Sequence, residues 1–400
     1  MVDPPPAAQP NAPATTIVEP ILTRPMARLL VVSLGALGSF YLLMPVVPAY
    51  AAGNGAGGMG VGLSTGVLML GTVLTELAAP ALIARHGYRT VVALALLLLG
   101  TPAVLLVASS WPPVVLGVCL LRGAGLGIVF VAGAALVAEL APDTRRSEAL
   151  GLYGATVGVP SIVCLPLGVW LSGHVGFAPV FVTGAALALL SLAAVRGMPA
   201  RSARVEPMPP GTLRRYLDVG GLAGPMVVFA AVALVAGVLL TFLPLSLSAT
   251  SPGSAAVALL VQSCTTPLAR WVAGRYGDRY GGSLLLPAVI AVVLGTAGLA
   301  WVHSPLAVIA GVALFGAGFG VAQNVTLALM FARVARSGFA RVSTLWNLAY
   351  DAGMGIGAVS FGLLVSPIGY SAGFALTAAV LLTVLVPAWR ERHRFPARMA

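Results

Sequence analysis

Lysine is missing altogether. The 400-residue chain carries 22 basic residues, all of them arginine, against 11 acidic ones, and charged residues make up only 8% of it. A soluble domain uses roughly a quarter charged residues, so this chain lacks the polar surface that water would demand. Cysteine is also scarce. Cys119, Cys164 and Cys264 lie singly in apolar runs, which argues against a disulfide framework and leaves them as packing residues. No His/Cys set has metal-ligand spacing and no histidine falls in the middle of an apolar run, so an enzyme built on a metal finds no candidate. The glycine-rich phosphate loop of ATP-driven proteins is absent as well. The net charge of +11 does not mark a nucleic-acid binder, because the arginines fall in short clusters between apolar runs rather than along one basic face.

What is abundant is hydrocarbon. Apolar residues make up 59% of the chain and the mean hydropathy is +0.99, so lipid is its solvent. A membrane helix needs about 20 mainly apolar residues. That rule predicts twelve spans, near 27–49, 61–84, 88–109, 112–140, 149–172, 177–196, 220–246, 254–275, 283–303, 305–333, 341–365 and 371–389. The fold class is therefore an all-α membrane protein of twelve transmembrane helices. Residues 1–26, rich in proline and alanine, read as a disordered tail. The run from Ala27 to Ala49 is too long for a signal-peptide core of roughly 7–15 residues, despite the cleavage-like "PAYA" that follows. It is read as a retained first span.

Arginine fixes the orientation. The even-numbered gaps and both ends hold the arginines, whereas the odd-numbered gaps hold no Arg, Asp or Glu. By the positive-inside rule both termini are cytoplasmic, and 197–219 is a cytoplasmic linker between two six-helix halves, 27–196 and 220–389, with a basic tail at 390–400. Arginine-only, Ala- and Gly-rich usage fits a bacterial plasma membrane, with the bilayer as partner and no oligomeric requirement, so a monomer is expected.

The halves are copies. "IARHGYR", ending at Arg89, is a degraded echo of "GRYGDRYGG": Arg85 meets Arg279 and Gly87 meets Gly281, each 194 residues on. "RGAGLG" (Arg122 to Gly127) meets "FGAGFG" (Phe315 to Gly320) 193 residues on, and Gly176 and Phe181 meet Gly369 and Phe374 at the same offset. Agreement of separate anchors to within one residue marks an internal repeat. An even number of spans per copy makes the halves parallel, pseudo-symmetric bundles about an axis along the membrane normal.

In sequence, Gly274-x-x-x-Asp278-Arg279-x-Gly281 resembles the loop signature GxxxDRxGRR of the major facilitator superfamily. The first copy keeps Arg85, Gly87 and Arg89 but has Ala84 at the Asp position. Arg122 in "LLRGAGLG" resembles the family's fourth-helix arginine motif. "GATVGVPSIVCLPLG", carrying Gly154, Gly158, Pro160, Pro166 and Gly168, loosely resembles the fifth-helix antiporter motif, with Val159 where a proline is expected. The resemblance implies the superfamily's fold, a cytoplasmic gate latch at the loop motif, and a central cavity lined by spans 1, 2, 4, 5, 7, 8, 10 and 11.

Few charges survive inside the spans. Glu76 in span 2, Arg122 in span 4 and Asp351 in span 11 lie about 8–10 residues from the nearest end, or about 12–15 Å at ~1.5 Å per residue. A charge there costs at least ~2.5–3.5 kcal/mol on insertion scales, so each needs a partner or water. The expected pairs are Glu76 with Arg122 and Asp351 with the shallower Arg270. Asn347, Tyr350, Asp351 and Met354 follow helical spacing as one polar-edged stripe, and Tyr41, Gln262, Gln323 and Asn324 are further candidate lining residues. The rest of the cavity is expected to be apolar, which suits a hydrophobic or amphipathic small molecule more than a sugar.

The expected function is therefore that of a transporter rather than an enzyme, with no cofactor: secondary active, proton-coupled export of such a compound by alternating access, protons being the coupling ion. Uptake of a small anion held by Arg122 is the alternative within transport. A non-transporting membrane receptor or scaffold is the alternative from another class.

Overall fold

The computed structural model describes residues 21–142, 145–198, 200, 220–248, 253–335 and 338–394, and among these every regular element is helical. In chain order they are α1 (Arg24–Leu43), α2 (Val46–Gly53), α3 (Gly58–Ala108), α4 (Pro112–Leu140), α5 (Arg146–Val175), α6 (Phe177–Leu190), α7 (Leu192–Val195), α8 (Ala223–Ser248), α9 (Ser254–Tyr280), α10 (Leu285–Gly298), α11 (Pro305–Phe331), α12 (Phe339–Leu382) and α13 (Leu385–Arg394). Several starts are written locally. Thr23 caps α1 by accepting from the Met26 amide, and Ser304 caps α11 by accepting from that of Ala307, each meeting one of the orphan donors of a helix N-terminus. Pro305 and Pro112 occupy first-turn positions that need no amide donor.

Among the described residues, nine stretches are long and apolar enough to cross a membrane. Two of the nine are double. α3 turns back at Gly87 (φ 78°, ψ 162°) and α12 at Gly369 (φ 77°, ψ 172°), left-handed conformations that glycine adopts without steric cost. With α9, long enough at 27 residues but made less apolar by Gln262, Ser263, Thr265, Thr266 and Arg270, the crossings come to twelve. The single span expected at 27–49 is interrupted at Met44–Pro45, where α1 hands over to α2. The cysteines also differ from expectation: Cys119 is buried, but Cys264 is exposed on the outside of α9.

The repeat is visible in the backbone. Left-handed glycines fall in matched pairs, Gly87 with Gly281 and Gly176 with Gly369, at the offsets read from the sequence. The repeat register of 193–194 residues therefore carries turn geometry as well as residue identity.

The halves meet along two seams. In the first, the limb of α3 before Gly87 lies along the limb of α12 before Gly369. Glycines let the backbones touch at the charge-free end: a side chain at Gly58 would meet the Gly362 carbonyl, and one at Gly62 the Ala358 carbonyl. Thr65 Oγ1 and Thr241 Oγ1, one from each half, hydrogen-bond at 2.8 Å beside this contact. The second seam joins α5 to α9, and towards the arginine-rich end it widens: side chains added at Gly151, Gly154 or Gly158 would meet nothing. The molecule is thus shut at one end and open at the other.

Candidate functional site

The opening leads to a cavity of about 710 Å³ between the halves. Leu165 and Ser161 of α5 form one wall, and Gln262, Ser263, Thr266 and Arg270 of α9 the other. Tyr41 of α1, Leu240 of α8, Phe319, Gln323 and Asn324 of α11 and Tyr350 of α12 close it. Five candidate lining residues from the sequence, Tyr41, Gln262, Gln323, Asn324 and Tyr350, share this one space. Asn347 is half-buried and is not among the residues facing it.

Arg270 is, with Arg275, one of two cations lining the cavity. It is exposed there, donates from Nη1 to Gln323 Oε1 at 3.4 Å, and lies within charge range of the Tyr41 and Tyr350 hydroxyls. Gln262 Oε1 and Ser263 Oγ are buried without a hydrogen-bond partner, so the α9 wall presents unsatisfied polar atoms. Behind Tyr350 stands a ladder of rings: Phe229 stacks on Trp346 at 4.3 Å, Phe229 on Tyr350 at 5.9 Å, and Phe319 on Tyr350 at 6.1 Å. An apolar wall is expected from sequence; the stacking of its rings is not. Phe229, Phe319 and Trp346 are dispersed over three helices and stack only in the fold; the one sequence signal was the spacing of Trp346 one turn before Tyr350.

The two mid-span acids behave differently from the pairs expected. Glu76 and Asp351 face each other across the α3–α12 seam, each within interaction range of the other, and they are only 3% and 2% exposed. Neither oxygen of Glu76 makes a well-formed hydrogen bond. Arg122 is not with Glu76. It is buried in the first half, where Nη1 donates to Leu99 O at 2.5 Å and Nη2 to Ser39 O at 3.0 Å, so it ties α4 to α3 and α1. Nor does Arg270 pair with Asp351, its hydrogen bond going to Gln323. The cause is geometric: successive helix residues point about 100° apart, so Tyr350 faces the cavity while Asp351 faces the seam. The expected single stripe is split, and Met354 packs against α8 at Gly237.

A central cavity between two duplicated bundles, open at one end, has a counterpart in known proteins. The sequence profile of the Major Facilitator Superfamily matches residues 29–340. The chain belongs to the Major Facilitator Superfamily. No curated protein matches it in sequence. Among solved structures it resembles a variant of the nucleoside transporter NupG (TM-score 0.78, 12% identity, covering 92% of this chain and 99% of that one). It also resembles a bacterial homolog of the human lysosomal transporter Spinster in an inward-facing, unoccupied conformation (TM-score 0.72, 15% identity, 96% and 100%). A third is the xylose transporter XylE from E. coli, inward open (TM-score 0.70, 14% identity, 92% and 96%). At these identities the likeness shows the fold. This superfamily member is accordingly a multi-pass membrane transporter.

The superfamily's loop motif is described in part. Gly274 lines the cavity mouth and Gly281 adopts φ 49°. Asp278 and Arg279 continue α9 in backbone, but their side chains lie outside the described residues. In the first copy, where Ala84 replaces the acid, Arg89 Nη2 donates to Met198 O at 2.9 Å and Arg85 is exposed. The neighbouring Tyr88 hydroxyl instead donates to Glu139 Oε1 at 3.3 Å, joining α3 to α4. On α5, Gly154 and Gly158 line the cavity, while Gly168 packs against the Leu42 carbonyl of α1. Pro160 and Pro166 interrupt α5 internally. At the start of α5, outside the spans, Arg145 grips Glu148 through Nε–Oε2 at 2.9 Å and Nη2–Oε1 at 2.7 Å. That hydrogen bonding holds the Glu148 carboxyl below the usual carboxylate range.

Proposed function

We propose that this protein is a proton-coupled secondary transporter that exports a small amphipathic compound by alternating access. The observation that carries the reading is the facing of Glu76 and Asp351 across the seam that shuts one end of the molecule. A proton held between the carboxyls removes their repulsion and lets α3 and α12 close. Loss of that proton leaves two like charges in an apolar wall, where Coulomb repulsion is weakly screened, and pushes the limbs apart. Proton binding thereby biases which end is open, as coupling requires.

The cavity supports an amphipathic cargo. Phe319, Tyr350, Leu165 and Leu240 offer a body-binding face, and Arg270, Gln262, Gln323 and Asn324 offer a polar end. Proton coupling has a parallel in the D-xylose–proton symporter, a solved structure of the same fold (TM-score 0.70, 14% identity). Export rests on the fifth-helix resemblance at Gly154, Gly158 and Pro160. The arginine distribution supports a bacterial plasma membrane with the open, arginine-rich end and both termini in the cytoplasm. One chain supplies both walls, which supports a monomer as the working unit, with the halves 27–196 and 220–389 rocking about the seams.

A second reading, uptake of a small anion, is favoured by one observation: the cavity's cations are Arg270 and Arg275, not Arg122, and Arg270 takes the anchoring role that the sequence alone would give Arg122. Both readings are tested by a resistance and accumulation screen over chemically diverse compounds in expressing cells, with and without a protonophore. Export predicts lowered accumulation that the protonophore abolishes; uptake predicts protonophore-sensitive gain. A compound that binds purified protein without proton release and without movement in cells would mark a receptor or scaffold.

A further inference from the structure

Asp351 borders a second, separate space. A cleft of about 500 Å³ runs between the first limbs of α3 and α12, walled by Leu63, Val67 and Met69 on one side and Ala352, Ile356 and Val359 on the other. Its rim is apolar and open: Leu70 is 51% exposed, Ile356 61% and Leu363 54%. Exposed hydrocarbon on a spanning helix faces lipid, so the cleft fills from the bilayer rather than from water. We propose that this cleft is a binding site for a lipophilic cation, a hydrophobic amine or quaternary onium, separate from the central cavity.

Charge complementarity selects that occupant. Asp351 is the one ionisable residue lining the cleft, and Glu76 stands against it with neither oxygen in a well-formed hydrogen bond. The other polar lining group, Ser360, is already satisfied, its hydroxyl donating to Ile356 O at 2.7 Å. No arginine lines the cleft. Tyr41 and Tyr350, whose hydroxyls lie within charge range of Asp351, belong to the central cavity. A lipophilic anion meets only repulsion here, and a neutral hydrocarbon leaves the buried carboxyls unpaired. An onium satisfies both halves of the site, body against the aliphatic walls and charge against the acid. Seated there it occupies the proton's place and bridges two limbs that must part, so it acts as an inhibitor of the cycle. That consequence rests on the proposed transport reading; binding itself does not.

The test is equilibrium binding of tetraphenylphosphonium to the full chain in lipid nanodiscs, with tetraphenylborate as the anion of matched shape and empty nanodiscs as background. The result expected is saturable binding of the cation alone, weakened about tenfold or more by Asp351→Asn, since one lost charge pair at ~1.4 kcal/mol is a factor of ten. Ala352→Trp, at an exposed lipid-facing position, fills the cleft without disturbing the core and abolishes binding. Gly158→Trp, which fills the central cavity instead, leaves it unchanged. Absence of saturable binding, equal binding of the borate, or loss in Gly158→Trp with retention in Ala352→Trp overturns the proposal. Because no transport is measured, failure here is distinguishable from failure of the proton-coupled export reading.

Discussion

Glu76 and Asp351, 275 residues apart in the chain, bring their carboxyls face to face at the contact between the two halves. Each lies on a helix that changes partners if the molecule opens at its other end. On the transport reading proposed above, protonation and conformational state are set by the same two side chains. In proteoliposomes, Glu76→Gln and Asp351→Asn are expected to abolish accumulation driven by a pH gradient while sparing solute exchange, which needs no net proton movement. Loss of exchange together with accumulation would assign the acids to cargo binding.

Arg122 is expected to act on stability. Arg122→Leu removes the charged donor to Leu99 O and Ser39 O and with it the tie of α4 to α3 and α1, a loss of about 1–3 kcal/mol. Thermal unfolding in detergent reads this directly. An unchanged melting temperature with loss of transport would return Arg122 to the functional site.

Arg270 is expected to do the opposite. It is exposed in the cavity, so Arg270→Ala should leave the melting temperature unaltered. For a cargo with an acceptor at its polar end, the variant raises KM by about tenfold or more, the scale of a lost charge-assisted hydrogen bond. An unaltered KM would show that the cargo does not reach α9.

Closure of the charge-free end depends on backbone contact. A side chain at Gly62 meets the Ala358 carbonyl, so Gly62→Val should hold that end open, raising the labelling rate of a cysteine placed nearby while transport falls. Labelling at the original rate would mean that the seam absorbs the extra carbon by shifting.

Glu148 provides a pH control. Arg145 holds its carboxyl low, so any stabilisation from the pair is present above the carboxylate range of the unfolded chain and is lost as the pH falls through the depressed value. Near neutrality the pair does not titrate. Glu148→Gln should therefore leave the pH profile of transport between pH 6 and 8 unmoved, and a shifted profile would show that the start of α5, as well as the seam, senses protons.

Much of this architecture was legible in the sequence, for physical reasons. Lipid forces long apolar runs, the repeat forces matched glycines, and so the span count and the turns at Gly87, Gly281, Gly176 and Gly369 could be read directly. Side-chain partnering could not. Glu76 and Arg122 are similar in depth, and depth alone suggested a pair. Which way each points depends on helix rotation within the bundle, a property of packing against α1, α8 and α12 rather than of local pattern. The same rotation separates Tyr350 from Asp351, and it gathers Phe229, Phe319 and Trp346 into a stack that no linear spacing announces.

The most direct measurement is the distance between spin labels at Met59→Cys and Leu363→Cys, exposed positions on the two limbs of the seam, with Cys119, Cys164 and Cys264 replaced by serine. Raising the pH should shift the population to longer distances, because two ionised carboxyls repel, and lowering it should restore the short one. In the Glu76→Gln, Asp351→Asn double variant the short distance should persist at every pH. A wild-type distance indifferent to pH, or a double variant that responds as the wild type does, contradicts the account.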